Sequence, residues 1–232
     1  MFGFFDPVYL LFLAPGMILA AWAQWKVKSA YAEAQQYVPS SGYSGAETAA
    51  AIIEQTGLEN VRIEPVEGFL SDHYDPTHKV LRLSPEVYQG RSLAALGIAA
   101  HEAGHALQDA SGYPLLVLRN GLVPLASVGG NVSMFLIMIG FLLASMQMIL
   151  LGIIAFSATV VFQLVNLPVE FDASRRAKQL LSDMGLVSAS EAPVVSRVLS
   201  AAAMTYVAAT ITSILTLLYF LFRAGLLGGR DE

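Results

Sequence analysis

The sequence predicts a mainly α-helical integral membrane protein: about four transmembrane helices plus one small α+β region outside the bilayer. Three observations predict it. Of 232 residues, 55 % are apolar and 13 % charged, the latter about half the roughly 25 % of an average soluble domain. From Asn120 to Val169 there are 50 consecutive residues without Asp, Glu, Lys, Arg or His, whereas a bilayer core needs about 20 per helix. Eleven of the 13 basic residues fall in two polar regions that four spans would place on one side. The positive-inside rule makes that side cytoplasmic, and both termini then face out.

The first span lies near Val8 to Trp25 and ends in Trp22, Trp25, Lys26 and Lys28. Its positive charges follow the apolar run, where a cleaved signal peptide has them before it, so it reads as an anchor. Tyr31–Tyr37 continues that helix, and Pro39-Ser-Ser-Gly42 breaks it. Gly45 to Gln55 is Ala-rich and helical, stopped by Gly57. Val61–Pro65 reads as a short strand. Gly68–Tyr74 and Lys79–Leu83 read as a hairpin turning at Asp75-Pro76-Thr77-His78. Ser84-Pro85-Glu86 is a helix start, a capping residue followed by proline at the first helical position. Ser92 caps a longer helix from Leu93 to about Ala110. The uncharged run divides into spans near Pro124–Ala144 and Met148–Leu167, with the turn at Ser145-Met146-Gln147. The last span runs from about Val198 to Phe222, its Thr and Ser suggesting a face packed on other helices. The organisation is therefore an anchor (1–28), a cytoplasmic region (29–119), a transmembrane hairpin (120–169), a second cytoplasmic segment (170–197) and a C-terminal transmembrane helix with its tail (198–232).

Composition excludes several functions. There is no cysteine, hence no disulfide framework, Cys-ligated metal or thiol nucleophile. A net charge of −5 gives no electrostatic footing for nucleic acid. A transporter would show broken helices at mid-span, and Pro15-Gly16 and Gly129-Gly130 are the only hints.

The helix 93–110 carries His101-Glu102-Ala103-Gly104-His105, half of the four histidines in the chain. Residues four apart lie one turn above each other on a helix, so both imidazoles reach one ion. This is the HExxH pattern of zinc peptidases. Zinc takes neutral nitrogen ligands and, in catalytic sites, keeps a position for water. Glu102, beside the first ligand, is placed to accept a proton from that water as general base. An intramembrane version of the site is disfavoured, because Arg91 and Asp109 flank the motif by only 17 residues.

A third protein ligand is needed. Gln108 and Ser111 occupy the Gly and third-His positions of the longer HExxHxxGxxH pattern, and no histidine follows His105. Glu170, directly after the third span, is the best candidate, with Pro168 starting a helix that puts Glu170 and Ser174 on one face. Asp109, one turn beyond His105, is the runner-up, as ligand or as a support for one. Asp172 points away from Glu170. His73 is weighed as a substrate contact against a structural or solvated role, His78 reads as a hairpin histidine, and Tyr206 is weighed as an oxyanion donor against simple packing.

At these residues the chain resembles the YugP-like family of zinc-dependent membrane neutral metallopeptidases. The matching stretches are Ser71-Asp-His-Tyr-Asp-Pro76, Lys79-Val-Leu-Arg-Leu-Ser84, Ala99-Ala-His-Glu-Ala-Gly-His-Ala-Leu-Gln108, Leu167-Pro-Val-Glu-Phe-Asp-Ala-Ser-Arg-Arg-Ala177 and Ala201-Ala-Ala-Met-Thr-Tyr-Val207. More distantly it is similar to the HtpX membrane peptidases, which pair HExxH with a Glu-x-x-x-Asp helix. The resemblance implies a zincin-like cytoplasmic region, one Zn²⁺ held by His101, His105 and Glu170, and a hairpin able to receive an extended substrate strand. Ser174 stands where the distant relatives have Asp.

The expectation is a membrane-embedded zinc endopeptidase of gluzincin type. It sits in a bilayer, as a multi-pass protein of a bacterial-type plasma membrane with its active site on the cytoplasmic side. It acts on membrane or membrane-adjacent proteins and does not bind nucleic acid. A membrane-protein partner or homo-oligomer is compatible with it. The alternative is a non-catalytic membrane scaffold or partner subunit that retains a metal site; closed structural sites have four protein ligands, and the sequence offers three.

Overall fold

The computed structural model of the chain describes residues 7–68 and 70–227. The two ends of the chain, whose termini are expected to face out, and Phe69 of the expected hairpin lie outside the described residues. The element order is α1 (Pro7–Ala34), α2 (Gly45–Gln55), β1 (Arg62–Pro65), β2 (His73–Asp75), β3 (Val80–Leu83), α3 (Pro85–Tyr88), α4 (Leu93–Ala110), α5 (Pro114–Leu142), α6 (Met146–Asp183) and α7 (Ala192–Arg223). Helices α1, α5, α6 and α7 are each long and apolar enough to cross a membrane.

The chain divides into two compact units. Among the described residues, the first comprises 7–22, 117–168 and 205–227. Its outward surface is apolar: Leu11 is 74 % exposed and Leu142 79 %, a surface that lipid covers at no cost. Inside it, aromatic rings and small residues take the contacts. Tyr9 and Tyr219 meet with centroids 4.8 Å apart and ring planes tilted by 59°, and Phe156 meets Phe220 edge-on at 5.6 Å. A Cβ on Gly129 would come within 2.7 Å of the Ala155 carbonyl, so glycine lets α5 and α6 approach backbone to backbone. Arg119 donates through Nε to Asn166 Oδ1 at 3.0 Å.

The second unit comprises residues 23–116 and 169–204. Its sheet has the order β1-β3-β2. The hairpin expected from the Asp-Pro turn is present: β2 pairs antiparallel with β3, His73 opposite Arg82 and Asp75 opposite Val80. Pairing of β1 with β3, in parallel, was not anticipated; α-helical crossover is absent because only the hairpin intervenes. Val80, Leu81 and Leu83 are fully buried, and Leu81 and Leu83 belong to one core with Ile52 of α2 and Leu93 and Leu96 of α4. Burying each such side chain contributes about 1.5–3 kcal/mol. β2 is thus an edge strand beside α4.

The helix ends follow local chemistry. Ser44 and Glu47 form a reciprocal capping box at the start of α2, and Ser92 Oγ accepts from Ala95 N–H at the start of α4. Ser84 sits at the expected N-cap of α3, yet its hydroxyl donates to Asp72 and makes no cap bond. Two expectations need correction. The turn between α5 and α6 falls at residues 143–145, slightly earlier than Ser145–Gln147. Pro168 starts no helix: α6 runs through it unbroken from Met146 to Asp183. Proline removes one i→i−4 bond, and tightly packed membrane helices tolerate that loss.

Candidate metal centre

Helix α4 brings His101 and His105 to one face, and the stretch of α6 from Val169 onward lies against it. That proximity depends on Gly104. A Cβ there would sit 2.7 Å from the Ala173 carbonyl oxygen. With hydrogen in its place the two backbones touch and Glu170 reaches the histidines. Glu170 Oε2 lies 3.3 Å from His101 Nε2 and 3.6 Å from His105 Nε2. The three donor atoms all fall within 4.8 Å of one another. The imidazole rings are 4.8 Å apart and nearly perpendicular.

These distances suit a zinc ion. Four-coordinate zinc with bonds of about 2.0–2.2 Å sets neighbouring donors about 3.3–3.6 Å apart. Glu170 is 2 % exposed, and its Oε2 is buried without a hydrogen-bond partner. An unpartnered carboxylate oxygen in a buried site costs free energy; a cation between it and the two imidazoles would remove that cost. Burial pushes the Glu170 carboxyl up, but the two histidines outweigh it and hold the group below the usual carboxylate range. His105 responds in the opposite sense: burial pulls its value down, and the Glu170 and Glu102 carboxylates bring it above the usual histidine value.

Each histidine of the cluster has a partner on its other ring nitrogen. His101 Nδ1 is 3.1 Å from Ser174 Oγ, and His105 Nδ1 is 3.0 Å from Gln108 Oε1. Such contacts orient metal-binding imidazoles. Serine at position 174 thus reaches the His101 ring.

Glu102 is 8 % exposed. Its Oε2 accepts the backbone N–H of Tyr74 at 3.0 Å, so edge strand β2 fixes the carboxylate. Asp109 does not join the cluster. Its Oδ2 accepts from Tyr74 Oη at 2.7 Å and pairs with Lys79 Nζ at 2.5 Å, tying the hairpin to the end of α4. His73 Nδ1 contacts Ser71 O, and His78 pairs with Asp75. Tyr206 belongs to the other unit.

Sequence reasoning missed three contributors. Tyr74 gives no signal, because its role is a backbone N–H and a hydroxyl on a strand. Gln108 was visible only as a residue out of place in a longer motif. Asp172, which helical spacing turns away from Glu170, accepts from Gln108 Nε2 at 3.0 Å and pairs with Arg175 and Arg176.

The chain matches, over residues 9–225, a family model described as "Putative neutral zinc metallopeptidase". It is 49 % identical over 225 residues to "Putative membrane protease YugP" of Bacillus subtilis (strain 168), an alignment covering 97 % of this chain and 98 % of that one. No solved structure matches the chain.

Proposed function

The chain belongs to this family of neutral zinc metallopeptidases, and from that premise we propose that it is a membrane-embedded endopeptidase in which Glu102 is the general base. The observation that carries the reading is the convergence of His101 Nε2, His105 Nε2 and Glu170 Oε2 one residue from Glu102. His101, His105 and Glu170 would hold one Zn²⁺. Three protein donors leave one of four positions open, the arrangement of catalytic rather than structural sites. When bound, zinc supplies Lewis acidity toward water and a peptide carbonyl.

The protein's own groups do the rest. Glu102, held by the Tyr74 N–H, takes a proton from the attacking water and delivers it to the departing amine. Burial of Glu170 and Glu102 excludes bulk water and keeps these interactions strong. The basic residues that follow the first and third spans support a site on the cytoplasmic side of a plasma membrane of bacterial type. The substrates are proteins or peptides in or beside that bilayer.

The test uses the full chain reconstituted in liposomes with a labelled unfolded protein as substrate. Hydrolysis should stop when a chelator strips the metal and return on adding zinc. Cleavage that persists at the same rate after the metal is gone would overturn the reading.

A further inference from the structure

Gln108 is fully buried at the end of α4. Its Nε2 donates to two acceptors, the Val169 carbonyl at 2.8 Å and Asp172 Oδ2 at 3.0 Å. Neither can donate in return: one is a backbone oxygen, and the other is a carboxylate paired with Arg175 and Arg176. Arg176 in turn lies over the Tyr113 ring at 5.8 Å. The amide is therefore locked, with its NH₂ facing those oxygens and Oε1 left toward His105 Nδ1 at 3.0 Å. An amide oxygen only accepts, so the Nδ1 it faces carries the hydrogen. A neutral imidazole protonated on Nδ1 has its lone pair on Nε2, the atom aimed at Glu170.

We infer that Gln108, braced by Asp172, is a positioning residue that sets the tautomer of His105 and presents an unprotonated Nε2 for the metal. The inference rests on the zinc site proposed above. The opposite tautomer would turn the lone pairs of Gln108 Oε1 and His105 Nδ1 toward each other in a buried place.

The experiment has two arms on the full chain in detergent. In the first, ¹⁵N NMR of the histidine-labelled, zinc-free wild type at alkaline pH reads the tautomer, His105 being assigned by its loss in His105→Ala. The proton should be on Nδ1; a proton on Nε2 would overturn the inference, and this arm needs no folded variant of Gln108. In the second, chelator competition measures zinc affinity. Gln108→Leu should bind zinc about 10–100-fold more weakly, the usual effect of removing such a partner. Wild-type affinity in Gln108→Leu would overturn the inference while His105→Ala and Glu170→Gln still lose zinc. Zinc retained by those two ligand variants would instead bring down the site reading itself.

Discussion

Gly104 and Ala173 meet so closely that a methyl group on the first would stand 2.7 Å from the carbonyl oxygen of the second. The atoms in the way belong to backbone, which cannot rotate aside. Gly104→Ala should therefore lower stability by about 1–3 kcal/mol and widen the gap between Glu170 and the two histidines. A thermal melt and a zinc assay on the same preparation check both effects. Unchanged melting with full zinc content would show that the helices have slack at this point.

The three donors should matter unequally to the metal and to the fold. His101→Ala, His105→Ala and Glu170→Gln are each expected to purify with little zinc by elemental analysis and to lose peptidase activity. Because Glu170 Oε2 makes no hydrogen bond within the protein, Glu170→Gln should leave the zinc-free chain about as stable as wild type at a pH above the folded value of His105, where the pairing of the two groups is lost. A sharp fall in that stability would mean the carboxylate serves packing first.

Tyr74 and Asp109 hold the hairpin on α4. Loss of the hydroxyl in Tyr74→Phe removes the 2.7 Å bond to Asp109 and should cost about 0.5–1.5 kcal/mol. Zinc content should not change, since neither residue belongs to the cluster. Depleted zinc in this variant would reassign Asp109 to the metal.

The ionisations of the cluster give a pH signature. His105 has a raised value, so the stability it contributes is complete below its ordinary 6.5 and is lost as pH rises through its folded value. Glu170 has a lowered value, so its contribution is present above 4.5 and disappears as pH falls through its folded value. The stability that zinc-free wild type holds over zinc-free Glu170→Gln from this pairing should peak between about pH 4.5 and 6.5. Zinc competes with the His105 proton, so the loaded protein should gain stability over the alkaline range in which the zinc-free protein loses it. Melting temperatures of both forms across that range test the sign.

Much of this architecture is legible in the residues. The long uncharged run and the positions of the lysines and arginines declare the four apolar helices, and Ser92 marks the start of α4 to the residue. The spacing of His101 and His105 already puts two of the three donors of the candidate cluster on one helix face. What stays hidden depends on through-space contact. Periodicity along α6 sets Asp172 opposite Glu170, yet the long side chain of Gln108 spans that offset. The parallel pairing of β1 with β3 is likewise a tertiary choice, made by burying Val80 and Leu81. Pro168 misleads because proline signals a helix start in water, whereas α6 carries it in mid-helix.

The most direct test is the rate of peptide hydrolysis by Glu102→Gln, measured on protein shown to carry one zinc per chain. Glutamine keeps an oxygen able to accept from the Tyr74 N–H, but it cannot take up a proton. Hydrolysis should fall by about 10²–10⁴-fold with the metal still in place. A zinc-loaded Glu102→Gln protein that cuts as fast as wild type would contradict the account.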